Sequence, residues 1–254
     1  MNLFDSVILG AVEGITEFLP ISSTGHMILV SHLLGLKQTA FEKTFEIAIQ
    51  LGAILAVVFL YREKLTHSLE LWKRLTAAFI PTGILGLLLH GYVERLFNPY
   101  VVSGALIVWG FIFILVELLY KEKDHHLEKP EELSYTKAVA IGIFQSLAMV
   151  PGTSRSGATI VGGLLLGMKR SAATEFSFLL AVPTMFAATG FELIKNFQEI
   201  NLANAIILTT GFLTAFIFAF LSVKWLLSYV RKHTFIPFGI YRIVVGSLFL
   251  LTVL

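Results

Sequence analysis

Three observations predict an all-α, polytopic membrane protein: the composition, the length of the apolar runs, and a pattern of elements that occurs twice. Of 254 residues, 56% are hydrophobic and 14% charged, and the mean hydropathy is +0.81. A soluble domain is usually about a quarter charged, and a single core cannot enclose this much apolar surface. The runs suit helices of roughly 20 residues and lack the polar alternation of a membrane-spanning barrel. A net charge of +2 points away from nucleic acid as a partner. There is no cysteine, which excludes disulfides and thiolate metal sites. The N-terminus does not read as a signal peptide, because it lacks a basic region and Asp5, Glu13 and Glu17 interrupt its apolar stretch.

The elements follow in order. Residues 3–18 and 24–36 are apolar segments split by Pro20 and the run Ser22-Ser23-Thr24-Gly25. Each is short for a crossing, so together they predict a re-entrant helical hairpin. Full spans are expected at 42–61, 74–93 and 100–120. The strongly polar stretch 121–134 reads as a solvated linker, and its His125 and His126 as no metal site of their own. The pattern then restarts. Short segments at 136–150 and 157–168 flank Pro151-Gly152, and spans are expected at 172–194, 203–229 and 236–254.

The chain therefore reads as one membrane domain, residues 1–254, made of two repeats: about 1–120 and about 135–254, joined by 121–134. At an offset of 132, Ser22 matches Ser154, Gly25 matches Gly157, Ile28 matches Ile160 and Gly35 matches Gly167, while Glu13 falls on Gln145. Three full spans per half is an odd number, so the second half enters from the opposite side as an inverted-topology repeat. Loop charges orient it. One side collects Arg62, Lys64, Lys73, Arg74, Lys121, Lys123, Lys129, Lys137, Lys169, Arg170, Lys224, Arg231 and Lys232. The other carries Lys37, Lys43, Arg95 and Lys195. The rich side is cytoplasmic by the positive-inside rule. Both termini and the mouth of the first hairpin then face outward, and the two hairpin tips meet near the midplane.

The tips carry the chemistry. Glu13 and Glu17 are spaced i, i+4 and share a helix face. Two carboxylates there repel unless a divalent cation lies between them or one keeps a proton; the bland alternative is a solvated pair at a helix end. Ser22, Ser23 and Thr24 precede a helix, and Gly25 admits close backbone approach, an arrangement suited to phosphate. An ordinary N-cap would also use Ser22 or Ser23. His26 could act as acid or base, although taken alone it fits a buried, hydrogen-bonded side chain better. Arg155 is the strongest single signal, since an arginine so far from a membrane surface pairs or binds an anion. Ser154, Ser156 and Thr159 add donors beside it, and Gly152 and Gly157 open the backbone. A salt bridge to Glu13 or Glu17 would instead make Arg155 a staple between the halves. Glu46 and Gln50, again i, i+4, suit a supporting role behind the site. Glu117 and Arg242, near cytoplasmic ends, are expected to snorkel or pair, and Glu192 lies near an outer end.

These residues carry a resemblance. Glu13-Gly14-Ile15-Thr16-Glu17 is similar to the (E/Q)xxxE motif of the bacterial undecaprenyl-diphosphate phosphatase family, the bacitracin-resistance phosphatases. Pro151 through Thr159 resembles that family's PGxSRSxxT motif at every fixed position, and Leu19 through His26 and Phe235-Ile236-Pro237-Phe238 also resemble family sequence. The likeness runs over nearly the whole chain; the main departure is a short loop at about 62–74. It implies hydrolysis of the C55 polyprenyl diphosphate to monophosphate and phosphate, which recycles the lipid carrier of cell-wall synthesis and confers bacitracin resistance. It also implies a divalent cation such as Mg²⁺ or Ca²⁺, an outward-facing site in the bacterial cytoplasmic membrane, and a homodimer. On this reading Arg155 and the Ser22–Gly25 amides hold the transferred group, while Glu13 and Glu17 bind the cation and handle protons. The nucleophile stays open between Ser23, activated by a carboxylate or His26, and a metal-bound water. The runner-up from the residues is a transporter of an anion or a phosphorylated lipid, since broken helices in inverted repeats also mark that class.

Overall fold

The computed structural model describes residues 1–36, 39–196 and 204–253. Among them the regular structure is helical, and β pairing is confined to a bridge between Leu127 and Met168. The first half contains α1 (Leu3–Thr16), α2 (Ser23–Leu33), α3 (Ala40–Leu60), a short α4 (Arg62–His67), α5 (Leu69–Glu94) and α6 (Pro99–Leu119). The second contains α7 (Tyr135–Ser146), α8 (Arg155–Leu165), α9 (Arg170–Asn196), α10 (Ala205–Tyr229) and α11 (Ile236–Val253).

Local chemistry sets the starts. Asn2 and Asp5 form a capping box on α1, Thr39 and Glu42 one on α3, and Asn98 caps α6 just before Pro99. Pro81 and Pro183 lie inside α5 and α9, where a membrane helix can tolerate them. Among the described residues five helices are long and apolar enough to cross a membrane: α3, α5, α6, α9 and α10. The expected sixth span at 236–254 is shorter. Its apolar stretch runs Ile236–Leu251, and residue 254 lies outside the described residues. Positions 37–38 and 197–203, which include Lys37 and the first residue of the expected span 203–229, also fall outside them. Exposed large side chains such as Phe111, Leu115 and Leu118 on α6 and Ile217 and Leu221 on α10 suit lipid contact.

The two halves interlock. α1 packs along α10 and α7 along α5, while α6 and α11 pack on each other. Close approach is specified by glycine. A Cβ on Gly10 of α1 would meet the Gly211 carbonyl of α10 at 2.6 Å, and one on Gly142 of α7 would collide with the Ala78 carbonyl of α5. Gly10 and Gly142 are again 132 positions apart. Hydrogen bonds fasten the same seam: Ser6 Oγ donates to the Ile207 carbonyl at 2.7 Å and Ser222 Oγ to the Ile15 carbonyl at 2.9 Å.

The stretch 121–134 is less solvated than its charge suggests. Pro130 and Leu133 are buried, and Leu127 exchanges backbone hydrogen bonds with Gly167 and Lys169. The Lys169 ammonium donates to Glu128, and that hydrogen bond holds the Glu128 carboxyl below its ordinary range. A few apolar residues among the charges thus dock the linker. Glu117 pairs as expected: its carboxylate takes Nε of Arg170 at 2.9 Å and Nη2 at 2.5 Å, and also the Phe235 amide.

Candidate active site

Both short hairpins break in the same way. Ser22 and Ser154 have positive φ, 73° and 77°, the two such non-glycine residues among those described. Each is the N-cap of the next helix. Ser22 Oγ accepts the Gly25 amide at 3.4 Å, and Ser154 Oγ accepts the Gly157 amide at 3.1 Å. A backbone shape that L-residues rarely adopt is thus held by a cap that glycine could not supply. Expectation and structure differ here by one or two residues. Ser23, Thr24 and Arg155 do not precede their helices but open them, because the caps lie at Ser22 and Ser154. Ser23 and Arg155 consequently occupy equivalent first-turn positions.

The tips meet around a cavity of about 310 Å³. Glu17, Ser22, Ser23 and Thr24 line it from the first half, and Ser154 and Arg155 from the second. Glu17, the C-cap of α1, joins the two halves. Its Oε2 accepts the Ser23 hydroxyl at 2.5 Å, and its Oε1 accepts Nη2 of Arg155 at 2.9 Å. Arg155 Nη1 donates to the Ser177 carbonyl at 3.1 Å, and its Nε is buried without a partner. Both charged side chains are about nine-tenths buried, so their attraction is weakly screened.

The other expected residues stand behind this surface. Glu13 is 2% exposed, and its Oε1 has no hydrogen-bond partner. Its charged neighbours are Glu17, Glu46 and Arg155. Ser156 Oγ donates to the Leu19 carbonyl at 2.9 Å, tying α8 to the first tip. Thr159 donates to Ser177 Oγ at 2.7 Å, and the neighbouring ring of Phe113 covers Gly157. Gly25 faces Leu106 and Val102. His26 lies away from the cavity lining. Its Nδ1 is 2.7 Å from the Ser22 carbonyl and its Nε2 is 2.8 Å from the Tyr241 hydroxyl, with the two rings stacked. The carboxylate of Glu17, rather than His26, is what touches Ser23.

The profile of the family described as "Bacitracin resistance protein BacA" matches residues 6–248. The chain belongs to the BacA family. Among curated relatives, it is 62% identical to the undecaprenyl-diphosphatase of Persephonella marina over the full length of both chains. It is 56% identical to that of Wolinella succinogenes, covering 98% of each chain. It is 48% identical to that of Methanococcus aeolicus, covering 99% of this chain and 98% of the relative.

The BacA-family site also contains Thr82 and Thr184, which sequence reasoning passed over. Gln145, at the position equivalent to Glu13, lines the cavity and donates to Thr82 at 3.0 Å, while Thr184 donates to it at 3.4 Å. The second half thus offers a neutral amide where the first offers a carboxylate. Gln50 also reaches the lining, whereas Glu46 faces a small pocket beside Glu42. Arg242 requires a correction. It does not snorkel to a membrane surface but is fully buried. It donates to the Pro20 carbonyl at 3.1 Å, the Gly152 carbonyl at 2.6 Å and the Thr153 carbonyl at 2.9 Å. Its signal was an arginine one and a half turns into an apolar helix, but backbone acceptors leave no trace in a sequence.

Proposed function

We propose that this BacA-family protein is an undecaprenyl-diphosphate phosphatase, an acid anhydride hydrolase that converts the C55 polyprenyl diphosphate to the monophosphate and orthophosphate. The observation that carries the chemistry is one carboxylate, Glu17, holding the Ser23 hydroxyl and the Arg155 guanidinium at the same cavity. Full-length relatives named undecaprenyl-diphosphatase supply the substrate. The same reading covers recycling of the cell-wall lipid carrier and resistance to bacitracin.

Phosphoryl transfer needs positioning and charge neutralisation more than elaborate covalent chemistry. Arg155 grips the terminal phosphate, and its unpartnered Nε is a spare donor for that purpose. Ser23 passes its proton to Glu17 as its Oγ forms a bond to the terminal phosphorus. The bond from that phosphorus to the bridging oxygen breaks, and the polyprenyl monophosphate leaves. Glu17 gives that proton to the departing monophosphate. Water then attacks the phosphoserine, and Glu17 takes the water's proton and returns it to Ser23 Oγ as the phosphorus–Oγ bond breaks, which frees orthophosphate and restores Ser23. The 2.5 Å contact supports Ser23 as the nucleophile and Glu17 as its base. His26, bonded to the Ser22 carbonyl and Tyr241, supports the N-cap of the same helix.

A divalent cation fits this reading. Among the described residues no three His, Asp or Glu side chains converge on a point. Two carboxylates with substrate phosphate oxygens make an ordinary Mg²⁺ or Ca²⁺ environment, however. The buried, unpartnered Oε1 of Glu13 is the donor such a cation would satisfy, with Glu17 as the second. The cation would neutralise phosphate charge.

The topology we propose is six spans and two re-entrant hairpins in an inverted repeat, with the site open to the outside of the bacterial cytoplasmic membrane. The paired positive-φ serines and the reciprocal α1–α10 and α7–α5 contacts support it. A homodimer is included on the family resemblance alone. Phosphate release from a polyprenyl diphosphate by the purified protein tests the activity. Binding without hydrolysis would return the transporter reading.

A further inference from the structure

Arg242 occupies an unusual place for a cation. It comes from α11, outside both hairpins, and is fully buried. Among the described residues no carboxylate pairs with it within the distance of an ion pair; its partners are three backbone carbonyls. One, Pro20, lies two residues before the strained Ser22; the others, Gly152 and Thr153, immediately precede the strained Ser154. A single planar guanidinium therefore spans both helix breaks. The carbonyls of a broken helix far from water need donors. A rigid fork can serve acceptors from two chain segments at fixed angles, which a lysine ammonium does not do.

We infer that Arg242 is a positioning residue that sets the register of the two tips, and so fixes where Ser23 and Arg155 stand relative to one another. It reaches no cavity surface and contacts no reacting atom. Its effect passes through two short backbone links, from Pro20 to Ser22 and Ser23, and from Thr153 to Ser154 and Arg155. The neighbouring Tyr241 reinforces the assignment. It bonds His26 on α2, so adjacent residues of α11 hold the first tip from two sides. The guanidinium also lies 6.0 Å from the ring centre of Phe113, whose edge packs on Gly157 at the start of α8. The inference rests on the phosphatase reading.

The test compares wild type, Arg242→Lys and Arg242→Gln in detergent, measuring phosphate release from a polyprenyl diphosphate, KM, and the folded fraction by thermal melting. A displacement of about 1 Å in a reacting group costs about a hundredfold in rate. Arg242→Lys should accordingly lower kcat per folded molecule by about that factor with KM changed less than about threefold, and Arg242→Gln should do no better. Activity that falls only in step with the folded fraction would assign Arg242 to stability alone and overturn the inference, as would failure of both variants to fold. A folded wild-type protein that releases no phosphate would instead sink the phosphatase reading.

Discussion

Ser23 and Arg155 hold opposite oxygens of one carboxylate. The serine hydroxyl is 2.5 Å from Oε2 of Glu17 and the guanidinium is 2.9 Å from Oε1. They stand 132 positions apart at matching places in the two halves. The second half thus offers a cation at the point where the first offers a hydroxyl, and the carboxylate between them can take a proton from one while aligning the other.

Ser23→Ala should lower kcat by about a thousandfold or more, because the groups of a nucleophilic unit fail together. Glu17→Gln should be similarly inactive, since an amide cannot take the serine proton. Single-turnover phosphate release checks both. A Ser23→Ala enzyme within tenfold of wild type would remove serine from the chemistry and leave direct attack by water.

Arg155→Lys separates a phosphate clamp from a staple. Lysine keeps the charge but not the fork. Loss of the clamp should cost on the order of 3 kcal/mol, about a hundredfold in turnover, with melting little changed. If the pair with Glu17 merely joins the halves, lysine restores turnover, and Arg155→Ala lowers the melting temperature as well as the rate.

Chelation should abolish phosphate release, and added Mg²⁺ or Ca²⁺ should restore it. Glu13→Gln should raise the half-saturating cation concentration about tenfold or more, the loss of roughly 1.4 kcal/mol of binding. Full activity in excess chelator would assign Glu13 to a purely structural role.

The proposed inverted topology makes a prediction independent of chemistry. In this cysteine-free chain, Asn2→Cys and Lys129→Cys should react with an impermeant thiol reagent from opposite sides of sealed cells or vesicles. Reaction from one side would end the argument for opposed repeats.

How far the sequence carried is seen best at particular residues. Pro20, the serine run and Pro151-Gly152 announced two broken helices, because turn chemistry stands out against an apolar background. Glu17, Ser23 and Arg155 could be picked out because their polar groups are costly in such surroundings. Thr82 and Thr184 could not. A threonine inside an apolar helix can bond its own i−4 carbonyl, as Thr184 does with Leu180, and so gives no sign of facing a site. Arg242 was visible as a charge but not as a clamp. The distinction between His26 behind the wall and Ser23 within it depends on helix rotation, which three residues of sequence cannot convey.

The interlocking of the halves bears on how the chain is made. The hydrogen bonds Ser6 to Ile207 and Ile15 to Ser222 join residues 201 and 207 positions apart. While the ribosome is still working, α1 has no partner for its glycine face, and that face must wait in lipid or against the insertion machinery until α10 emerges. The first half released alone would therefore be an unfinished surface rather than a smaller enzyme. The two gene halves could work as separate polypeptides only if both were present in the membrane together.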